Sequence, residues 1–337
     1  MKRPSPFFKR TRQSIVLGLA LCAAASALAQ TAPAAAAAPT GTVLVTLGTQ
    51  GGPVPTPARS QPANALIVNG QPYLIDAGNG VARQLALAGI RYTAIRQIFI
   101  THHHDDHNAD LGTLMGMVWS IGVPVPITAY GPNGTGEFLE GFKRSFVINQ
   151  KIRESDFPEL YKITPDAFFL SKDIGDAKQA RTIFEDKNLK VDAMQNCHYH
   201  FAPGAPAGSA ASYAFRFKTA DKTIVISGDT GPCPQLVEFA RGADMLVHEV
   251  INLDKVGAAL RAQGIPDPRV AVMMRHMEED HSTPEVVGKL AAQAGVGMVV
   301  LTHVIPGSDD IPDSAYTEGV SREFKGKVVV AKDLMRF

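Results

Sequence analysis

The segment Thr101-His-His-His-Asp-Asp-His-Asn108 places His102, His104, Asp106 and His107 within six residues, directly behind the apolar run Ile98-Phe99-Ile100. Imidazole nitrogens and carboxylate oxygens are the groups that bind Zn²⁺ and similar divalent ions. In the order H-x-H-x-D-H they can fill parts of two adjacent metal sites from one turn after a strand, with His103 and Asp105 as spacers. A histidine tract on a polar loop would have the same local composition. What sets this one apart is matching side chains far downstream. His198 follows the strand-like run Leu189–Met194, Asp229 follows Thr223–Gly228, and His303 follows Met298–Thr302. Each run is apolar and rich in β-branched residues, as a buried strand requires. Four strand ends would thus deliver ligands to one edge of a sheet.

With Ser227-Gly-Asp-Thr230 and Leu301-Thr-His303, these elements make the chain resemble the metallo-β-lactamase superfamily from about Thr42 to near Pro306. It looks closest to the ribonuclease Z and arylsulfatase-like branch, through Thr46-Leu-Gly-Thr-Gln-Gly-Gly-Pro53, Leu74-Ile-Asp-Ala-Gly78 and His281-Ser-Thr283. The resemblance implies an α/β fold, a four-layer αββα sandwich with a two-metal site at one edge of the paired sheets. It also implies a ligand assignment: His102, His104 and His198 for one ion, Asp106, His107 and His303 for the other, and Asp229 bridging both. Two divalent ions about 3.5–4 Å apart acidify a water and clamp the oxygens of the group being cleaved. A metal-bound hydroxide is then the implied nucleophile, and Asp106 counts as catalytic as well as a ligand. Zinc is the first choice of ion, with manganese or iron as the others.

Further histidines fall near this set. His281 stands before a helix whose start is marked by Ser282, Thr283, Pro284 and Glu285. The resemblance implies that it donates a proton to the leaving group or binds phosphate; the plainer reading is a hydrogen-bonded helix entrance. His248 and Glu249 resemble a His-Glu pair of the same branch, with Glu249 orienting His281. Asp76 is expected to order the ligand loop from behind, and His200 is a reserve ligand candidate. Trp119 is expected in the core.

The N-terminus points outside the cytoplasm. Five basic residues precede the apolar stretch Ile15–Ala24, and Ala27-Leu-Ala29 fits a signal-peptidase site, so residues 1–29 read as a cleaved secretory signal too short for a membrane span. An Ala/Pro-rich linker at 30–40 follows, then one domain over 41–337. Without the signal, 28 basic and 32 acidic residues remain, a net charge of −4. Nucleic-acid binding usually leaves a basic footprint. An insert at about 131–190 holds ten basic and ten acidic residues and supplies no basic arm. Its aromatics Phe138, Phe142, Phe146, Phe157, Tyr161, Phe168 and Phe169 suit a cap over the metals, a peripheral elaboration or a homodimer contact. Cys197 and Cys233 are expected as free thiols, with a disulfide as the alternative. The resulting expectation is an exported, periplasmic or secreted hydrolase of a phosphodiester, sulfate ester or related ester. Its substrate would be a small-molecule ester, with nucleic acid disfavoured. The alternatives are a lactone or β-lactam hydrolase of the same fold, or a non-catalytic metal-binding protein.

Overall fold

The computed structural model describes residues 40–337; the expected signal peptide and nearly all of the Ala/Pro-rich linker lie outside the described residues. Apolar and β-branched runs form β1 (Thr42–Gly48), β2 (Ala63–Val68), β3 (Gln71–Ile75), β4 (Gln97–Phe99), β5 (Ile127–Gly131) and β6 (Phe169–Asp173), which pair in that order in a six-stranded sheet. The first three are antiparallel and the rest parallel. The second half repeats this rhythm. β7 (Arg181–Glu185), β8 (Leu189–Gln195), β9 (Tyr213–Thr219) and β10 (Thr223–Ile226) run antiparallel. β11 (Met245–Ile251), β12 (Met298–Ile305) and β13 (Lys327–Val330) then continue the seven-stranded sheet in parallel.

Three apolar cores set the layers. Leu66, Tyr73, Ile75 and Phe99 of the first sheet meet Phe215, Phe217, Ile226 and Val247 of the second in one core between the sheets. The outer face of the first sheet packs on α1 (Val81–Leu87), α3 (Leu111–Ser120), α4 (Thr135–Asp156) and α5 (Pro165–Phe168). That of the second packs on α6 (Pro234–Phe239), α9 (Pro284–Ala294) and α10 (Ser314–Glu323). The expected αββα sandwich is therefore the observed fold, with a short α2 (Asp105–Asn108) at the ligand loop. Two further helices, α7 (Leu253–Ala262) and α8 (Asp267–Asp280), pack on each other between β11 and α9.

The segment expected as an insert is largely part of the sandwich. β6 completes the first sheet and β7 the second. Of the seven aromatics named above, all but the exposed Phe157 join the outer core of the first sheet, and an eighth in the segment, Phe184, packs against the core between the sheets. Phe142 and Phe146 press on Gly112 and Gly116 of α3, and Trp119 is buried among them, its Nε1 donating to the Ile163 carbonyl at 2.8 Å.

One partly buried ion pair fixes the strand that leads to His198. Arg216 on β9 donates to Asp192 on β8 from Nε and Nη2, at 3.2 and 2.8 Å, and Thr182 donates to the other carboxylate oxygen at 2.8 Å. The same guanidinium lies 4.7 Å over the Phe239 ring and donates to the Phe239 carbonyl, tying both strands to α6. Burial pushes the Asp192 carboxyl up. The hydrogen bonds from Arg216 and Thr182 and the charges of Arg216 and Lys218 outweigh burial and hold it below its ordinary range. Its contribution is therefore present above the unfolded carboxyl pKa and lost as pH falls through the lower folded value. Arg216→Met should cost about 1.5–3 kcal/mol at pH 7 by removing its charged hydrogen bonds to Asp192, which keeps Thr182 and Lys218, measured by urea unfolding. The difference from wild type should shrink below about pH 4. An equal deficit at both pH values would assign the loss to packing instead.

Candidate metal centre

Local backbone devices aim each ligand. After β3 the chain enters the left-handed region at Asp76 (φ 58°), which turns its carboxylate under the ligand loop. Asp76 Oδ1 accepts from the Thr101 amide at 2.8 Å, and Oδ2 lies 2.9 Å from His107 Nδ1. Gly228 (φ 60°) makes the turn that presents Asp229, and a Cβ there would sit 2.7 Å from the Tyr213 carbonyl oxygen. On β12 the register with β11 slips between Thr302 and Val304. His303, at φ 43°, is the extra residue of this bulge, and its ring turns out of the ladder into the site.

The seven expected ligands converge in two groups sharing Asp229. His102, His104, His198 and Asp229 form one, and Asp106, His107 and His303 the other. In the first, His104 Nδ1 lies 3.0 Å from His102 Nε2 and 3.2 Å from His198 Nε2; Asp229 Oδ2 is 3.7 Å from His102 Nε2 and 4.0 Å from His198 Nε2. In the second, Asp106 Oδ2 is 3.6 Å from His107 Nε2 and 3.4 Å from His303 Nε2. Asp229 reaches this group too, with Oδ1 3.3 Å from His107 Nε2 and Oδ2 3.0 Å from His303 Nε2. Donors about 2.0–2.1 Å from one tetrahedral ion stand roughly 3.3 Å apart, so both groups have the spacing of ligands to a common cation.

Electrostatics agree with that fit. Burial, then the neighbouring imidazoles, holds His102 well below the usual histidine range, and burial with His198 brings His104 down to about 4. Burial lowers His198 as well. These three rings are neutral donors at pH 7, as ligation requires. At the other group burial again opposes a charged ring. There the charges of Asp229 and Asp106 outweigh it, raising His107 and pushing His303 up to about 10. The field at that edge calls for a cation. Asp106 Oδ2, His107 Nε2 and Asp229 Oδ1 are buried without any hydrogen-bond partner, and these are the atoms that face one another. The donor set fits divalent metal.

Around the ligands the supports are of two kinds. His198 Nδ1 donates to the Asp280 carbonyl at 2.9 Å, which leaves Nε2 for the site. Nothing in the sequence signals a backbone carbonyl in that role. His281 Nδ1 lies 3.0 and 3.1 Å from the two Glu249 oxygens, and the ring shares a donor group with Asp229 and His303. Glu249 also accepts from the Thr230 amide at 2.8 Å. His248 is buried one residue earlier, its Nδ1 2.8 Å from the Glu249 carbonyl, and it is not among the clustered ligand-type groups. His200 is no ligand: with His276 it pairs to Asp280, each at 2.8 Å. His103 turns away to Asn108 and the Pro132 carbonyl.

Cys197 and Cys233 form a disulfide, which corrects the expectation of free thiols. Cys197 donates its amide to Thr230 Oγ1 and accepts from the Gly231 amide, which brings the two Cα atoms to 5.4 Å, inside the bridging range. The bond links the residue before His198 to the loop after Asp229.

Residues 72–304 match the family described as a beta-lactamase superfamily domain, and the chain belongs to the metallo-β-lactamase superfamily. Its relatives narrow the class. The chain is 30% identical over 295 residues to ribonuclease Z of Mycolicibacterium paratuberculosis, covering 87% of this chain and 96% of that one. It is 28% identical to ribonuclease Z of Mycobacterium marinum, over 87% and 97%. The fold is shared with human tRNase Z, short form (23% identity, TM-score 0.59, 88% and 98% covered). It is also shared with the metallo-beta-lactamase fold protein YhfI from Bacillus subtilis (17%, 0.61, 88% and 98%). The protein is a metal-dependent hydrolase acting on ester bonds. These ribonuclease relatives overturn the expectation of a small-molecule ester substrate with nucleic acid disfavoured. That expectation rested on the expected export together with bulk charge, and a phosphate bound by divalent ions needs no excess of Lys and Arg around it.

Two outcomes test the supports. Asp76→Asn should weaken zinc binding by 10- to 100-fold, measured by competition with a chromogenic chelator; unchanged affinity would detach Asp76 from the ligand loop. Replacing both cysteines by serine should lower stability by about 4 kcal/mol, the chain-entropy value for the 36-residue separation. Urea unfolding measures it, and a change under about 1 kcal/mol would show the bond to be idle.

Proposed function

We propose that this chain is an exported, ribonuclease Z-like phosphodiesterase that hydrolyses RNA with two divalent ions, zinc in both positions. The observation that carries the reading is the His281–Glu249 pair set against Asp229 and His303. An RNA phosphodiester expels an alkoxide, a poor leaving group that needs a proton in the transition state. Burial opposes a charged His281 ring, but the Glu249 carboxylate outweighs it and holds His281 above the usual histidine range. With Nδ1 on Glu249, Nε2 is the atom free to give a proton to the leaving oxygen. Ions held by the two donor groups would neutralise the phosphate and activate the attacking water. The names of the relatives support the choice of RNA.

Two features support export. The basic-then-apolar N-terminus ending in Ala27-Leu-Ala29 has the pattern of a secretory signal, and the Cys197–Cys233 bond is of a kind that persists in oxidising compartments.

Purified protein should carry close to two divalent ions per chain by plasma mass spectrometry, and Asp229→Ala should lose both. His281→Ala should cut RNA cleavage by about 10²–10⁴-fold, with a much smaller loss on a 4-nitrophenyl phosphodiester, whose leaving group needs no proton. Equal losses on both would remove the proton-donor role. A secreted form beginning at Gln30 is the corresponding mark of export, and intact mass spectrometry of the periplasmic fraction reads it directly.

A further inference from the structure

Between the ligand His198 and β9 the chain continues Tyr199-His-Phe-Ala-Pro203. Tyr199 lies against the metal ligands, its ring 4.8 Å from His198, 5.4 Å from His104 and 6.0 Å from His102. Phe201 stacks on Tyr199, with centroids 4.9 Å apart and planes 24° from parallel. His200, between them, is held by Asp280. Neither aromatic ring belongs to any of the three apolar cores, and Phe201 is 43% exposed. The arrangement is a short column of rings that starts on a ligand histidine and ends on an uncovered aromatic face.

We propose that Tyr199 and Phe201 form a stacking platform for the nucleobase adjoining the scissile phosphate. This rests on the RNA reading above and says how that site holds its substrate. Every nucleobase has a π-face, so stacking on an aromatic ring holds single-stranded RNA without choosing its sequence. It needs no surplus of basic residues, which suits a chain that, apart from residues 1–29, carries 28 basic and 32 acidic side chains. The column's contact with His198 and His104 places the exposed face beside the phosphate position rather than at a remote binding surface. Tyr199 acts as the rigid backing. Phe201 makes the contact with the base.

The test uses the metal-loaded protein with two substrates: a random-sequence RNA pool and methyl 4-nitrophenyl phosphate, which has a scissile phosphodiester and no nucleobase. Phe201→Ala and Phe201→Leu should each lower kcat/KM on RNA about 10-fold or more, mainly through KM. That loss should exceed the loss on the small diester at least tenfold. Phe201→Trp, which restores a larger ring face, should recover RNA cleavage. Equal losses on the two substrates, or RNA cleavage as fast in Phe201→Leu as in wild type, would overturn the platform while leaving the RNA reading standing. A wild-type protein that cleaves the small diester but no RNA would overturn both.

Discussion

Two carboxylates, Asp106 and Asp229, are buried together among five imidazoles, and this concentration of charge is what the rest of the molecule accommodates. An isolated carboxylate in a protein interior is costly unless it is paired. Here the pairing is distributed: His102, His104 and His198 stay neutral, while the negative field of the aspartates settles on His107 and His303. Such a site is poised for cations of charge two, because a single added proton cannot satisfy three unpartnered donor atoms facing one another. The clustering of the ligand-type side chains follows from that one electrostatic demand.

Meeting it requires geometry that regular strands do not provide. Side chains on a strand alternate between its faces, and neither face points along the sheet edge. The chain departs from the regular pattern at three points around the site. Asp76 and His303 take positive φ, Gly228 supplies the turn before Asp229, and His303 stands out of the ladder as a bulge. Non-glycine residues in that region are uncommon. Their coincidence at the ligand edge marks where the fold gives up local regularity for chemistry. The Cys197–Cys233 bond and the Asp280 carbonyl then lock the His198 turn from two sides.

What could be read from the chain alone follows from how local each signal is. Strand runs ending in His102, His198, Asp229 and His303 are sequence-contiguous, so both the sheets and the convergence of those side chains at one edge were legible. The disulfide was not, because it depends on the turn hydrogen bonds of Thr230 and Gly231 that bring two distant Cα atoms together. The segment 131–190 read as an insert because its β6 and β7 are short and polar: they are sheet edges, partly exposed, and lack the apolar alternation that marks inner strands. The support of His198 by Asp280 is a backbone contact, independent of side-chain identity and so without a sequence signature.

The substrate was misjudged for a different reason. Net charge sums over the whole surface, and long-range fields of mixed sign are screened within about 8–10 Å at physiological salt. A phosphodiester at the metal edge sees the ions and the nearest side chains, not the average. On the RNA reading proposed above, the acidic balance of residues 30–337 bears on how fast RNA arrives and how strongly salt acts on it, and much less on whether the bond can be cut. Affinity missing from basic residues has to come from another contact. In this molecule the aromatic column beginning at His198 is the feature beside the phosphate position that can supply it.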